Sequence, residues 1–179
     1  MKFRIAVAAT AACLSLSSGA LAAPFHQARL DTQISDDVAR SVNTYSRFTV
    51  FDDVQVQVSN GIVTLTGRVT MPFKKDEIAR RASALDGVRE VRNDIGVLPP
   101  SPMDDELRHK VARAIYGNAA FWQYAAMPNP PIHIVVEGGR VTLTGVVHSD
   151  VDRMLARSLA CGHGEISLTN SLKTDAEAR

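Results

Sequence analysis

The chain carries one strand-turn-strand text twice, and nothing else in it limits the fold so tightly. Residues Val54–Val69 read Val-Gln-Val-Gln-Val-Ser-Asn-Gly-Ile-Val-Thr-Leu-Thr-Gly-Arg-Val. Residues Ile132–Val147 read Ile-His-Ile-Val-Val-Glu-Gly-Gly-Arg-Val-Thr-Leu-Thr-Gly-Val-Val. The two align without a gap at an offset of 78, and Val-Thr-Leu-Thr-Gly is identical in both. A repeat of that length is two copies of one small domain, because solenoid units are usually shorter. Function must be sought in what a doubled small module can do.

Turn chemistry fixes the register of each hairpin. Asn60-Gly61 is the strongest two-residue turn signal, since both central positions need positive φ. With that turn, Ser59 faces Ile62, Val58 faces Val63, Val56 faces Leu65 and Val54 faces Gly67. Val54, Val56, Val58, Val63 and Leu65 then share a buried face, and Gln55, Gln57, Thr64 and Thr66 a wet one. In the second copy Gly138-Gly139 makes the equivalent turn. Ile132, Ile134, Val136, Val141 and Leu143 are buried there, and His133 lies on the wet face.

Helices flank each hairpin. Ile34, Val38 and Val42 recur at four-residue steps ahead of the first, after a lead over 23–30 expected to be flexible. Behind it, Ile78, Ala82 and Leu85 form a helical face that Asp86-Gly87 ends; Val151, Leu155 and Leu159 do the same in the second copy, opened by a Ser149 cap. Alternation at Val91, Ile95 and Val97, and at Ile166, Leu168 and Leu172, marks a third strand in each. The expected fold class is α+β. Two tandem two-layer modules span 31–98 and 103–174, each helix-strand-strand-helix-strand with a three-stranded mixed sheet. Between them, 99–102 is a stiff Pro-rich linker, with Ser101 as N-cap and Pro102 at the first helical position.

Residues 1–22 have the form of a cleavable export signal: Lys2 and Arg4, an apolar run from Ile5 to Leu16, then Ala20-Leu21-Ala22. Removing them leaves 18 basic against 19 acidic residues, which excludes the strongly basic surface of a general nucleic-acid binder. It also leaves Cys161 as the single cysteine, so no internal disulfide is expected and packed cores must hold the modules.

The order helix, Val-x-Val-x-Val-x-Asn-Gly-x-Val-x-Leu-x-Gly-x-Val, helix, then Gly87-Val88-Arg89-Glu90-Val91-Arg92-Asn93-Asp94-Ile95, resembles the BON domain. The second copy keeps the pattern through Gly145 and weakens after it, with Glu165 where the family has valine. The resemblance implies an exported, non-catalytic bacterial protein of the periplasm. Such a protein associates with phospholipid membranes or periplasmic partners and helps the envelope withstand osmotic or other stress. It implies no catalytic residues.

The residues add no chemistry of their own. Cys161-Gly162-His163 supplies two candidate ligands where a structural zinc site takes four, so neither metal nor cofactor is expected. Glu137-Gly138-Gly139-Arg140 is a hairpin turn rather than a phosphate loop, and no small-molecule substrate is evident. One segment stands out. Between Tyr116 and Tyr124 the second module holds four aromatics, including Trp122, the only tryptophan. Phe121, Trp122 and Tyr124, with Arg108, Lys110 and Arg113 nearby, are the candidate contacts for an anionic phospholipid surface or a partner protein. The competing expectation is that Phe121 and Trp122 close the open end of the sheet or pack against the first module. A chaperone or assembly subunit pairing client strands to a sheet edge is the alternative function. Lys74, Lys75, Arg80 and Arg81 read as a solvated helix face.

Overall fold

A computed structural model describes residues 22–178; the side chains of 22–29 are outside that description, as is the expected export signal except for Ala22. Helix α1 (Ala22–Asn43) leads into strands β1 (Asp53–Ser59) and β2 (Ile62–Val69), helix α2 (Pro72–Ser83) and strand β3 (Glu90–Val97). The second module follows with α3 (Pro102–Tyr116), a 3₁₀ turn at Ala119–Phe121 and the short α4 (Trp122–Ala125). It ends with β4 (Ile132–Glu137), β5 (Arg140–Val147), α5 (Asp150–Ala160), β6 (Ser167–Asn170) and β7 (Lys173–Thr174). Each module has its own core. One gathers around Val38, Val63, Leu65, Ile78 and Ile95, the other around Val111, Ile115, Phe121, Ile134 and Leu143.

The hairpin register is the expected one, Val56 opposite Leu65 and Ser59 opposite Ile62, with Asn60 at φ 53° and Gly61 at φ 74°. β2 and β5 are central, antiparallel to one neighbour and parallel to the other, so both sheets are mixed. The second has four strands because its last is broken at Ser171–Leu172 into β6 and β7, both beside β5.

The same polar fastenings recur in both copies. An aspartate on the leading helix accepts the two N–H groups of the hairpin turn: Asp31 from Asn60 and Gly61 (2.7 and 2.9 Å), Asp104 from Gly138 and Gly139 (2.9 and 2.8 Å). An asparagine on the third strand donates to the second helix: Asn93 to the Lys75 carbonyl (3.0 Å), Asn170 to that of Arg153 (2.9 Å). Gly145, at φ 112°, lies so close to β4 that an added Cβ would stand 1.8 Å from the Pro131 carbonyl oxygen. No side chain fits there, which explains the repeated glycine.

Five expectations need correction. The lead over 23–30 belongs to α1, its Ala, Gln, Arg and Leu being good helix formers with Pro24 still in the first turn. Val151 and Ile166 are exposed (66% and 75%), and Val97 is 38% exposed. In α5 the buried face centres on Ala156 and Ala160, small enough to bring the helix close to the sheet. Ile166 instead lies over the Gly139 turn, where a Cβ would meet it at 3.1 Å. His133 is half-buried instead of fully wet. With Val135 and Thr144 it belongs to an outer sheet surface that the first module covers.

Candidate functional site

The loop from Arg47 to Asp52 joins the modules. Phe48, 9% exposed, tilts against the His133 ring at 5.4 Å between centroids. The Val50 carbonyl accepts from the Ile134 N–H (2.7 Å), one rung of strand pairing across the module boundary. Phe51 meets His109 edge-on at 5.1 Å and packs on the second core. Arg68–Glu137 (3.3 Å) and Asn129–Asn43 (3.2 Å) add exposed contacts. The modules are joined by this clamp as well as by the Pro-rich linker.

Asp52 holds the clamp in shape. It is fully buried and accepts from the N–H and hydroxyl of Thr49 (both 2.8 Å) and of Thr70 (2.8 and 2.9 Å). Lys74, 5% exposed, reaches it at 2.6 Å. Lys74 therefore leaves the solvated face expected of it, while Arg80 and Arg81 pair with Glu77 on the surface.

In the second module the aromatic segment fills the equivalent place. Phe121 is fully buried and stacks tilted on Tyr124 at 5.7 Å. The Tyr124 hydroxyl accepts from the His148 N–H (2.9 Å) and donates to Asp152 (3.3 Å). His148, Asp152 and Tyr124 thus stand where Thr70, Lys74 and Asp52 do, with a phenol held between a backbone N–H and a carboxylate in place of a buried ion pair. Burial pushes the Tyr124 phenol above its ordinary range and keeps it protonated.

Of the six candidate contacts, three are interior. Besides Phe121 and Tyr124, Arg108 is 4% exposed; it pairs with Asp105 and donates to the Val136 carbonyl (2.7 Å). Three remain outside. Trp122 is 65% exposed, Lys110 pairs with Glu106 at 2.8 Å, and Arg113, exposed on the last turn of α3, has no carboxylate partner among the described residues. Met127 and Met154, which the sequence reading passed over, and Val151, which it set on the packed face of a helix, are 40, 64 and 66% exposed. The Tyr124–Asp152 bond ties α4, which carries Trp122, to the start of α5, which carries Val151 and Met154. Among the described residues no group of three or more His, Cys, Asp and Glu could hold a metal ion, and no helix is long and apolar enough to cross a membrane.

His133 gives the module boundary a pH dependence. Burial pushes its imidazole below the usual range, against the pull of the Asp53 carboxylate and the Thr49 and Asp52 carbonyls, and Nδ1 is buried without a hydrogen-bond partner. The unfolded chain then binds a proton more readily than the folded one. Stability is complete above the unfolded value of about 6.5 and falls as the pH drops from there toward the depressed folded value. Melting temperature should decline between pH 7.5 and pH 5, and His133→Gln should flatten that decline.

A family model described as BON domain matches residues 30–99 and again residues 104–164. No curated protein matches the chain. Among solved structures the chain is similar to CdsD, a structural protein of the type III secretion system of Chlamydia trachomatis, at 15% identity over 82% of this chain and 95% of that one, with a TM-score of 0.29. It is similar to the C-terminal domain of CdsD at 16% identity over 76% and 94%, also with a TM-score of 0.29.

Proposed function

The chain belongs to the BON domain family, with two copies in tandem, and from that premise we propose a periplasmic, non-catalytic protein that docks on anionic phospholipid surfaces and supports the envelope under osmotic or other stress. The observation that carries the reading is the exposure of Trp122, 65% open to solvent on a short helix whose neighbours Phe121 and Tyr124 are rooted in the core. An indole on a rigid base inserts at the water–lipid boundary without losing much conformational freedom, its ring entering the acyl region and its N–H staying wet. Met127, Val151 and Met154 add apolar surface. Arg113 supplies a cation free to meet a headgroup, worth about 1 kcal/mol near an anionic leaflet. Phe121, Tyr124 and Arg108 act as the footing of the site.

Because Trp122 is the only tryptophan, its fluorescence reports docking without a label. Emission should be that of a solvated indole in buffer and shift to the blue with vesicles of phosphatidylglycerol and phosphatidylethanolamine. Vesicles of phosphatidylcholine should shift it less, and Arg113→Ala should weaken the response. An unmoved spectrum, with no co-flotation, would remove the lipid reading.

A further inference from the structure

We propose that the cleft between the modules binds an extended, uncharged peptide segment by backbone hydrogen bonds to the outer edge of β1. The inference is independent of lipid docking. In a hairpin closed by a two-residue turn, bonded and non-bonded pairs alternate from the closing pair outward. Ser59, Gln57 and Gln55 therefore bond β2, and Val54, Val56 and Val58 turn their N–H and C=O groups away from it. The second module verifies the rule, since the counterparts Ile132, Ile134 and Val136 all bond outward.

Those counterparts are occupied. The Tyr116 hydroxyl donates to the Ile132 carbonyl, Val50 accepts from the Ile134 N–H, and Arg108 donates to the Val136 carbonyl. Matching the leading helices at Asp31 and Asp104 sets Ile34 on Leu107, Val38 on Val111 and Val42 on Ile115. Ser35 then stands where Arg108 does, and Asn43 where Tyr116 does. Neither is bonded to the β1 edge, and no other described residue bonds the outward groups of Val54, Val56 and Val58. Sheet edges left in this state take up strands.

The surroundings select a single strand. The β1 edge borders a cleft of about 640 Å³ whose opposite wall is the outer face of the second sheet, including Thr144, Val146 and Lys173. A wall facing the edge favours one chain, at the interstrand spacing of about 4.8 Å, over a folded domain. The cleft continues the module interface, where Val50 already makes one rung of such pairing. Among the described residues that line it, Asp53 and Lys173 are the only formally charged side chains and offset one another, which favours an uncharged occupant. Recognition through the backbone makes side-chain sequence secondary.

The test titrates the folded protein with the blocked pentapeptide acetyl-Thr-Val-Thr-Val-Thr-amide and follows backbone amides by NMR. The amides of Val54, Val56 and Val58 should shift, and a peptide N-methylated at alternate residues should fail to bind. Ser35→Arg, which imports the cover of the second module, should weaken binding at least tenfold. Val56→Pro should do the same while leaving the β1–β2 ladder intact, because that N–H points away from it. Were Val56→Pro to unfold the module, Ser35→Arg still decides. Absence of binding, shifts confined to other surfaces, or affinity unchanged by Ser35→Arg would each overturn the proposal.

Discussion

Asp52→Ala should cost the fold about 3–5 kcal/mol, the usual penalty for stranding one partner of a buried ion pair. The Lys74 ammonium would remain 5% exposed with only the Thr70 hydroxyl to receive it (2.7 Å), and the Thr49 and Thr70 N–H groups would lose their acceptor. For a module of this size such a loss lowers Tm by more than about 10 °C, read by circular dichroism. Lys74→Met should cost less, because the carboxylate keeps its four donors from Thr49 and Thr70. Asp52→Leu with Lys74→Met should regain part of the deficit, since an apolar pair of similar volume needs no desolvation. A Tm within about 2 °C of wild type for Asp52→Ala would mean that the pair is solvated.

The change would reach beyond the first module. Asp52 closes the turn that presents Phe48, Val50 and Phe51 to the second module, so loosening it loosens the clamp. The buried charge thus ties the ends of β2 and α2 to the geometry of the module boundary, and with it the width of the cleft beside β1.

What could be read from the sequence follows from the range of the interactions. The hairpins were legible to the residue because Asn60-Gly61 and Gly138-Gly139 fix register locally. The Ser101 and Ser149 caps were legible for the same reason, each accepting an N–H three residues on, at 3.2 Å. Asp52 and Lys74, 22 residues apart, carry no periodic signal, and Lys74 beside Lys75 has the look of a wet face. The clamp loop has no repeat of its own, so its contacts on His109, His133 and Ile134 were silent. Arg108 was different: it lies four residues after Asp104 and three before Val111, on the buried stripe of α3. The stripe was in the text, and charge alone drew the reading toward a headgroup.

The aromatic segment was legible as a feature and misread as a unit. Phe121 and Tyr124, three residues apart, turn to one side of a helical path and Trp122 to the other. Two substitutions separate the roles. Phe121→Ala should cost the second module about 3–5 kcal/mol, the loss for a fully buried phenylalanine whose site cannot collapse. Urea unfolding followed by far-ultraviolet circular dichroism reads this, because Trp122, already solvated in the folded protein, changes little on unfolding. Trp122→Ala should stay within about 0.5 kcal/mol of wild type by circular dichroism, as exposed positions do, while losing vesicle flotation. If Phe121→Ala left the urea midpoint in place, the ring would not be the plug that its burial implies. If Trp122→Ala destabilised the fold as strongly as Phe121→Ala, the indole would be a core residue and the docking surface would lose its centre. The opposed outcomes follow from one geometric fact: the chain spends two aromatics on anchoring a third that stands in solvent.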